Sequence, residues 1–253
     1  MIASSMGTLP MIQHSFIFLE KISLKREKNL WKKGITDWDL FLKTKKIESI
    51  SSSTKQYYNR KIGEAQRAFL GGNSSYFRDK LPSTENWRLY DHFKEECGFL
   101  DVEIDSSGKI VVVGISNYFN TNFFVRGAHL EKSFLEKELQ KYKLLVTFNG
   151  ASFDLPRLQK QFGISLSIPH IDLKPLCVKL GLRGGLKEVE KRLHLNRPAH
   201  LYGNPVDLWK AFHASGDREY LDLLLEYNRE DTENLRGVME KVYGELKKAS
   251  VYF

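Results

Sequence analysis

Two acids stand two residues apart in the run FLDVEI, Asp101 and Glu103. If that run is a strand, period two sets both carboxylates on one face and Leu100, Val102 and Ile104 on the other. Two such acids repel each other and cost desolvation free energy, unless a cation joins them or that face lies in water. A third acid, Asp154, follows the turn signal Asn149-Gly150 in LLVTFNGASFDLPRL and opens a helix. It is either a first-turn acid favoured by the helix dipole or a ligand. A fourth, Asp231, stands four residues after Tyr227 in EYLDLLLEYNREDTENL, so the two share a helix face. Each feature alone has an ordinary structural explanation. Taken together, four carboxylates balance two divalent cations about 3.5–4 Å apart, the arrangement that serves in-line phosphoryl transfer. Oxygen-only ligation suits magnesium or manganese, and no His/Cys set points to zinc.

The elements that must carry these acids are legible around them. CGFLDVEI, KIVVVGIS and TNFFVRG are short β-branched or aromatic runs separated by SSG and NYFN turns, which predicts an antiparallel meander. SFLEKELQKY then reads as helix, KLLVTF as strand, FDLPRLQKQF as helix and IPHID as a short strand, with mostly helical sequence beyond. The sum is an α/β fold, a mixed sheet flanked by helices. A small helical region precedes it. In EKNLWKKGITDWDLFLKTKKI, Leu30, Trp31, Ile35, Trp38, Phe41 and Leu42 fall near helical spacing, Leu40 widens the stripe and Gly34 breaks it. A second helix, YYNRKIGEAQRAFL, stops at Gly71-Gly72-Asn73. A boundary is expected in KLPSTENWRLYDHF, with Ser83 or Thr84 capping a helix that carries Trp87, Leu89 and Phe93. The chain thus divides into a basic helical region, 1–84, and an α/β domain, 85–253.

Composition sets the outer limits. The 253 residues are 42% apolar and 28% charged, a foldable globular balance. The net charge is +8, and residues 1–100 hold 17 basic against 11 acidic residues, where 101–253 hold 22 against 20. A basic excess in one half suits a polyanionic partner such as nucleic acid, or simply a solubilising surface. The longest apolar runs, IVVVGI and LLVTF, are strand-sized, so no membrane span is expected. The opening MIASSMGTLPMIQHSFIFLEK lacks a charged segment followed by a long apolar one, so no secretory leader is expected. Two cysteines, Cys97 and Cys177, make no disulfide framework and read as small buried hydrophobes. A reduced, cytoplasmic location follows as the expectation.

In order and wording, the three acidic motifs resemble those of the DEDD 3′–5′ exonucleases of the ribonuclease H-like superfamily, and most of all the YprB-type ribonuclease H-like family. FLDVEI is similar to the first motif, TFNGASFDLPRL to the second (Asn, three residues, Phe-Asp), and YNRED to the third (Tyr, three residues, Asp). IPHIDL, GLRGGLKEVEKRL and WRLYDHF resemble its connecting segments, so the likeness covers about residues 85–240. LWKKGITDWDLFL resembles the small helical region that often precedes the domain. Two departures stand out: EKISLKREKNL lacks the glycines of the usual helix-hairpin-helix-like loop, and Ile104-Asp105 replace a Thr-Thr or Thr-Gly pair.

The resemblance implies a ribonuclease H-like fold and a two-metal exonuclease acting on DNA or RNA. Asp101 and Asp231 would hold the two metals, Glu103 would bind metal and orient the attacking water, and Asp154 would serve the second metal. Tyr227 would position that water, the mark of the tyrosine variant. On the nucleic-acid side stand Asn149, which either holds the 3′-terminal sugar or phosphate or closes its turn, and its neighbour Phe153. Lys187, near a helix start after Gly184-Gly185, either meets a phosphate or is simply solvated. Asp172 either supports the site or caps the next helix. His170, His194, His200 and His213 lack ligand spacing, and Tyr118, Phe119 and Phe123 read as core before they read as base-stacking platforms. Two other readings share these residues: a nucleic-acid-binding protein without catalysis on a nuclease-like scaffold, and a structure-selective endonuclease.

Overall fold

The computed structural model describes residues 11–201 and 204–251. Residues 1–10, which begin the stretch expected to hold no secretory leader, lie outside the described residues. The N-terminal region forms helices α1 (Leu24–Lys32), α2 (Trp38–Lys43) and α3 (Ser52–Leu70). Each start is capped by a side chain: Ser23 accepts from the Arg26 amide, Asp37 from Leu40 and Ser51 from Thr54. Gly34 ends α1 with φ +79°, the left-handed conformation its place in the sequence implies. Trp38 and Phe41 are buried as expected, but Leu40 is 40% exposed. The Asp37 cap orients the short helix so that 38 and 41 face inward and 40 does not.

Ser83 and Thr84 do not cap a helix. Residues Ser83–Leu89 follow Pro82 as a 3-10 turn with no side-chain cap, and α4 (Tyr90–Phe93) continues it. Then come β1 (Cys97–Ile104), β2 (Ile110–Ser116), β3 (Thr121–Val125), α5 (Lys132–Leu139), β4 (Leu144–Thr147), α6 (Asp154–Phe162), β5 (His170–Asp172), α7 (Leu173–Lys179), α8 (Leu186–Arg192), α9 (Pro205–Ser215) and α10 (Arg218–Val251). The sheet order is β3-β2-β1-β4-β5. β1–β2 and β2–β3 are antiparallel; β1–β4 and β4–β5 are parallel. The mixed sheet expected from sequence is therefore present, with its meander and both later strands.

Alternation along β1 sorts the core. Leu100 and Val102 point into one apolar cluster with Val113, Leu145, Leu158 of α6 and Leu135 of α5. Cys97 and Phe99 point into the other, with Val146, Leu235, Val238 and Met239 of α10. That second cluster runs on without a break into Trp38, Phe41 and Ile62 of the N-terminal helices. The next two residues of the same row are Asp101 and Glu103, where the apolar cover ends. At the β2–β3 turn, Phe119 departs from expectation: it is 89% exposed. The Asn117 side chain accepts from the amides of Phe119 and Asn120, closing the turn with the ring outside.

Candidate active site

The approach of α10 to β1 and β2 builds the site. Asp101 pairs in register with Gly114 of β2. A Cβ on Gly114 would lie 1.9 Å from Asn228 Oδ1, so only glycine lets α10 pass this close. The helix is stitched down there: the Ser116 hydroxyl donates to the Thr232 carbonyl at 3.1 Å, and Asn228 Nδ2 donates to Asp101 Oδ2 at 2.8 Å. Asp231, one turn along α10, is thereby brought to the end of β1. Carboxylate oxygens of Asp101, Glu103 and Asp231 lie within 4.8 Å of one another, all three side chains half-buried.

Asp154 reaches the same region from β4. After Thr147 the chain turns through Asn149, which has φ +66°, and Gly150, where a Cβ would meet Thr147 Oγ1 at 2.1 Å. Asp172 clamps this loop, accepting from the Asn149 amide at 2.7 Å and the Ala151 amide at 3.1 Å. It also accepts from the Lys174 amide at 3.1 Å, so it caps α7 and supports the loop at once. The Asn149 side chain is used locally, its Oδ1 accepting from the Ser152 hydroxyl. Asp154 opens α6, is only 3% exposed, and leaves Oδ1 buried without a hydrogen-bond partner. It stands beside the group of three and outside it. Phe153 packs under Arg157, whose guanidinium carbon is 3.6 Å from the ring centroid.

Tyr227 is buried on the same α10 face, with Lys187 Nζ 4.4 Å above its ring. Three further residues that sequence reasoning passed over complete the surroundings. Asn228 orients Asp101; its signal was present in YNRED, next to Tyr227. Glu190 of α8 is 2% exposed and takes the Arg197 guanidinium in two bonds, 3.0 and 3.1 Å. Arg197 in turn bonds Asp231. Arg197 lies in an irregular segment where no periodicity marks an inward-facing side chain.

The charges are strongly perturbed. Burial, then Glu103, Asp231 and Asp154, push Asp101 well above the ordinary carboxylate range, against the Asn228 hydrogen bond. Burial, then Asp231 and Asp154, raise Glu103 to about 8, and burial raises Asp154 to about 7. Asp231 is raised by burial, with Arg197 opposing. Tyr227 is pushed upward by burial and by Asp231, so its phenol keeps its proton. Four acids that resist ionisation side by side, one with an orphaned oxygen, fit a divalent, oxygen-seeking cation. Two of the histidines are occupied elsewhere: His170 pairs with the Thr147 hydroxyl and is lowered to about 4 by burial, and His200 pairs with Glu226. Asp105 shapes the β1–β2 turn, accepting from Ser107 and Lys109 amides and from Arg126.

A mixed sheet crossed by one long helix, with an acid cluster at the ends of its strands, is an α/β architecture suited to phosphodiester chemistry. The family model of the RNase H superfamily matches residues 98–243, more than half of the chain, and this protein belongs to that superfamily. Comparison with curated proteins gives no match. Membership points to a nuclease acting on nucleic acid, and the carboxylate cluster is placed for divalent cations. Among the described residues no helix is long and apolar enough to cross a membrane.

Proposed function

We propose that the chain is a two-metal nuclease that removes nucleotides from the 3′ ends of single strands, a DEDD exonuclease of the tyrosine, YprB-type kind. One observation carries the reading: Asp101, Glu103 and Asp231 converge within 4.8 Å, from a strand and a helix more than 120 residues apart in the chain. Asp101, held by Asn228, and Asp231 would hold the two cations, magnesium or manganese. Glu103 would bind one of them and orient the attacking water. Asp154 would serve the second cation through its unpartnered Oδ1. Divalent ions bound there lower the pKa of water and neutralise charge on the scissile phosphate. Tyr227, protonated, would donate to that water and fix its line of approach. Lys187, which is exposed, would meet a phosphate, and Phe153 with Asn149 would hold the terminal nucleotide. In this reading residues 85–253 are the nuclease domain, and the basic 1–84 region adds grip on the nucleic-acid backbone.

The test is a gel assay of end-labelled single-stranded DNA and RNA with Mg²⁺ or Mn²⁺, with and without chelator. Progressive shortening from the 3′ end should fall by about 10³-fold or more in Asp101→Asn and in Asp231→Asn, the scale of losing several kcal/mol of transition-state stabilisation. Discrete internal cuts would make it an endonuclease. Intact strands that still bind in every variant would make it a binding protein.

A further inference from the structure

Arg197 has no part in the proposed chemistry, yet it bonds one of the clustered carboxylates. Its side chain is 13% exposed, and Nε and Nη2 form a two-bond fork with Glu190, itself buried. The same Nη2 reaches Asp231, one of the three clustered carboxylates, and Nη1 is buried with no partner. The segment bearing it is seated against α10. Lys241 Nζ donates to the Leu193 carbonyl at 2.6 Å, Asn234 Nδ2 to the Asn196 carbonyl at 3.4 Å, and Leu195 lies against Gly237. A rigid guanidinium is thus shared between an acid outside the cluster and an acid inside it.

Resting on the metal reading above, we propose that Arg197 is a resident counter-cation that competes with the divalent ion for Asp231 and so sets the affinity of the site. Without the ion, Arg197 neutralises Asp231. When the ion binds, Arg197 gives up the Asp231 contact and stays on Glu190, whose two bonds keep it in place. Glu190 is therefore a positioning residue that decides how much of the guanidinium's charge falls on Asp231. The pair tunes occupancy to the prevailing divalent-ion concentration, and it leaves the cluster partly balanced when that concentration is low.

Two variants move the affinity in opposite directions, which a merely structural role would not do. Thermal unfolding of the full chain would be followed in chelator and across a MnCl₂ series for the wild type, Arg197→Met and Glu190→Gln. Arg197→Met should melt lower than wild type in chelator, gain more from Mn²⁺, and show a Kd for Mn²⁺ tighter by about tenfold or more, as expected when one unit charge beside the ion is removed. Glu190→Gln should leave Arg197 wholly on Asp231 and weaken Mn²⁺ binding. Where Arg197→Met does not fold, Glu190→Gln alone carries the test. An equal or smaller Mn²⁺ gain in Arg197→Met, or unchanged affinity in Glu190→Gln, overturns the competition. Absence of any Mn²⁺ gain in the wild type overturns the metal reading itself.

Discussion

Two of the buried charge groups are built on opposite plans. Between the N-terminal helices and the α/β domain, Arg88 bonds Glu27 at 2.8 Å and Glu85 at 2.9 Å, and Lys179 bonds Glu85 at 3.0 Å. Glu27 also accepts from the Ser15 hydroxyl and the Phe16 and Ile17 amides. Two acids face two bases there, and the oxygens are covered by donors. At the end of β1, Asp101, Glu103 and Asp231 meet with Asp154 beside them, and among the described residues Arg197, shared with Glu190, is the one cation bonded to any of the four. A balanced group holds elements together, whereas an unbalanced one repels itself until cations arrive. The difference separates a seam from a site.

Breaking the balanced group gives the largest stability effect. Arg88→Met removes the guanidinium that Glu27 and Glu85 share, leaving Glu27 with only neutral donors and Glu85 with Lys179, and urea unfolding should report a loss of about 3–5 kcal/mol that no divalent ion restores. The unbalanced group answers to pH. Folded-state values of about 8 for Glu103 and about 7 for Asp154 exceed their ordinary 4.5 and 3.8, so the folded chain holds protons that the unfolded chain releases. In chelator, stability should therefore fall as pH rises from about 4 through about 8, by about 1–3 kcal/mol once shared among coupled acids. Melting curves across that range test it: saturating Mn²⁺ should remove the decline, and Asp101→Asn should shrink it. A decline that persists in Mn²⁺ would mean the acids are not its source.

Sequence alone carried most of this comparison on one side and little on the other. Period two and period four set Asp101 with Glu103, and Tyr227 with Asp231, on shared faces, but the sequence joined these features into one group through their sum and the family resemblance, since each alone has an ordinary structural explanation. Asp154 was legible through the turn before it. The seam was not legible: Glu27, Glu85 and Arg88 sit in short helical stretches where charged residues are ordinarily solvated. Arg197 and Glu190 stayed hidden for the same reason, since their meaning lies in a contact between an irregular segment and α10. Phe119 shows the converse error, an aromatic in a strand-rich run that one Asn-closed turn ejects into water.

On the proposed reading, the acids at the end of β1 are incomplete without divalent cations. Isothermal titration of the full chain with MnCl₂ at pH 8, wild type against Asp101→Asn and Asp231→Asn, tests it most directly. The wild type should bind two ions saturably, and each variant should lose at least one. No saturable binding, or binding that survives both substitutions, would contradict it.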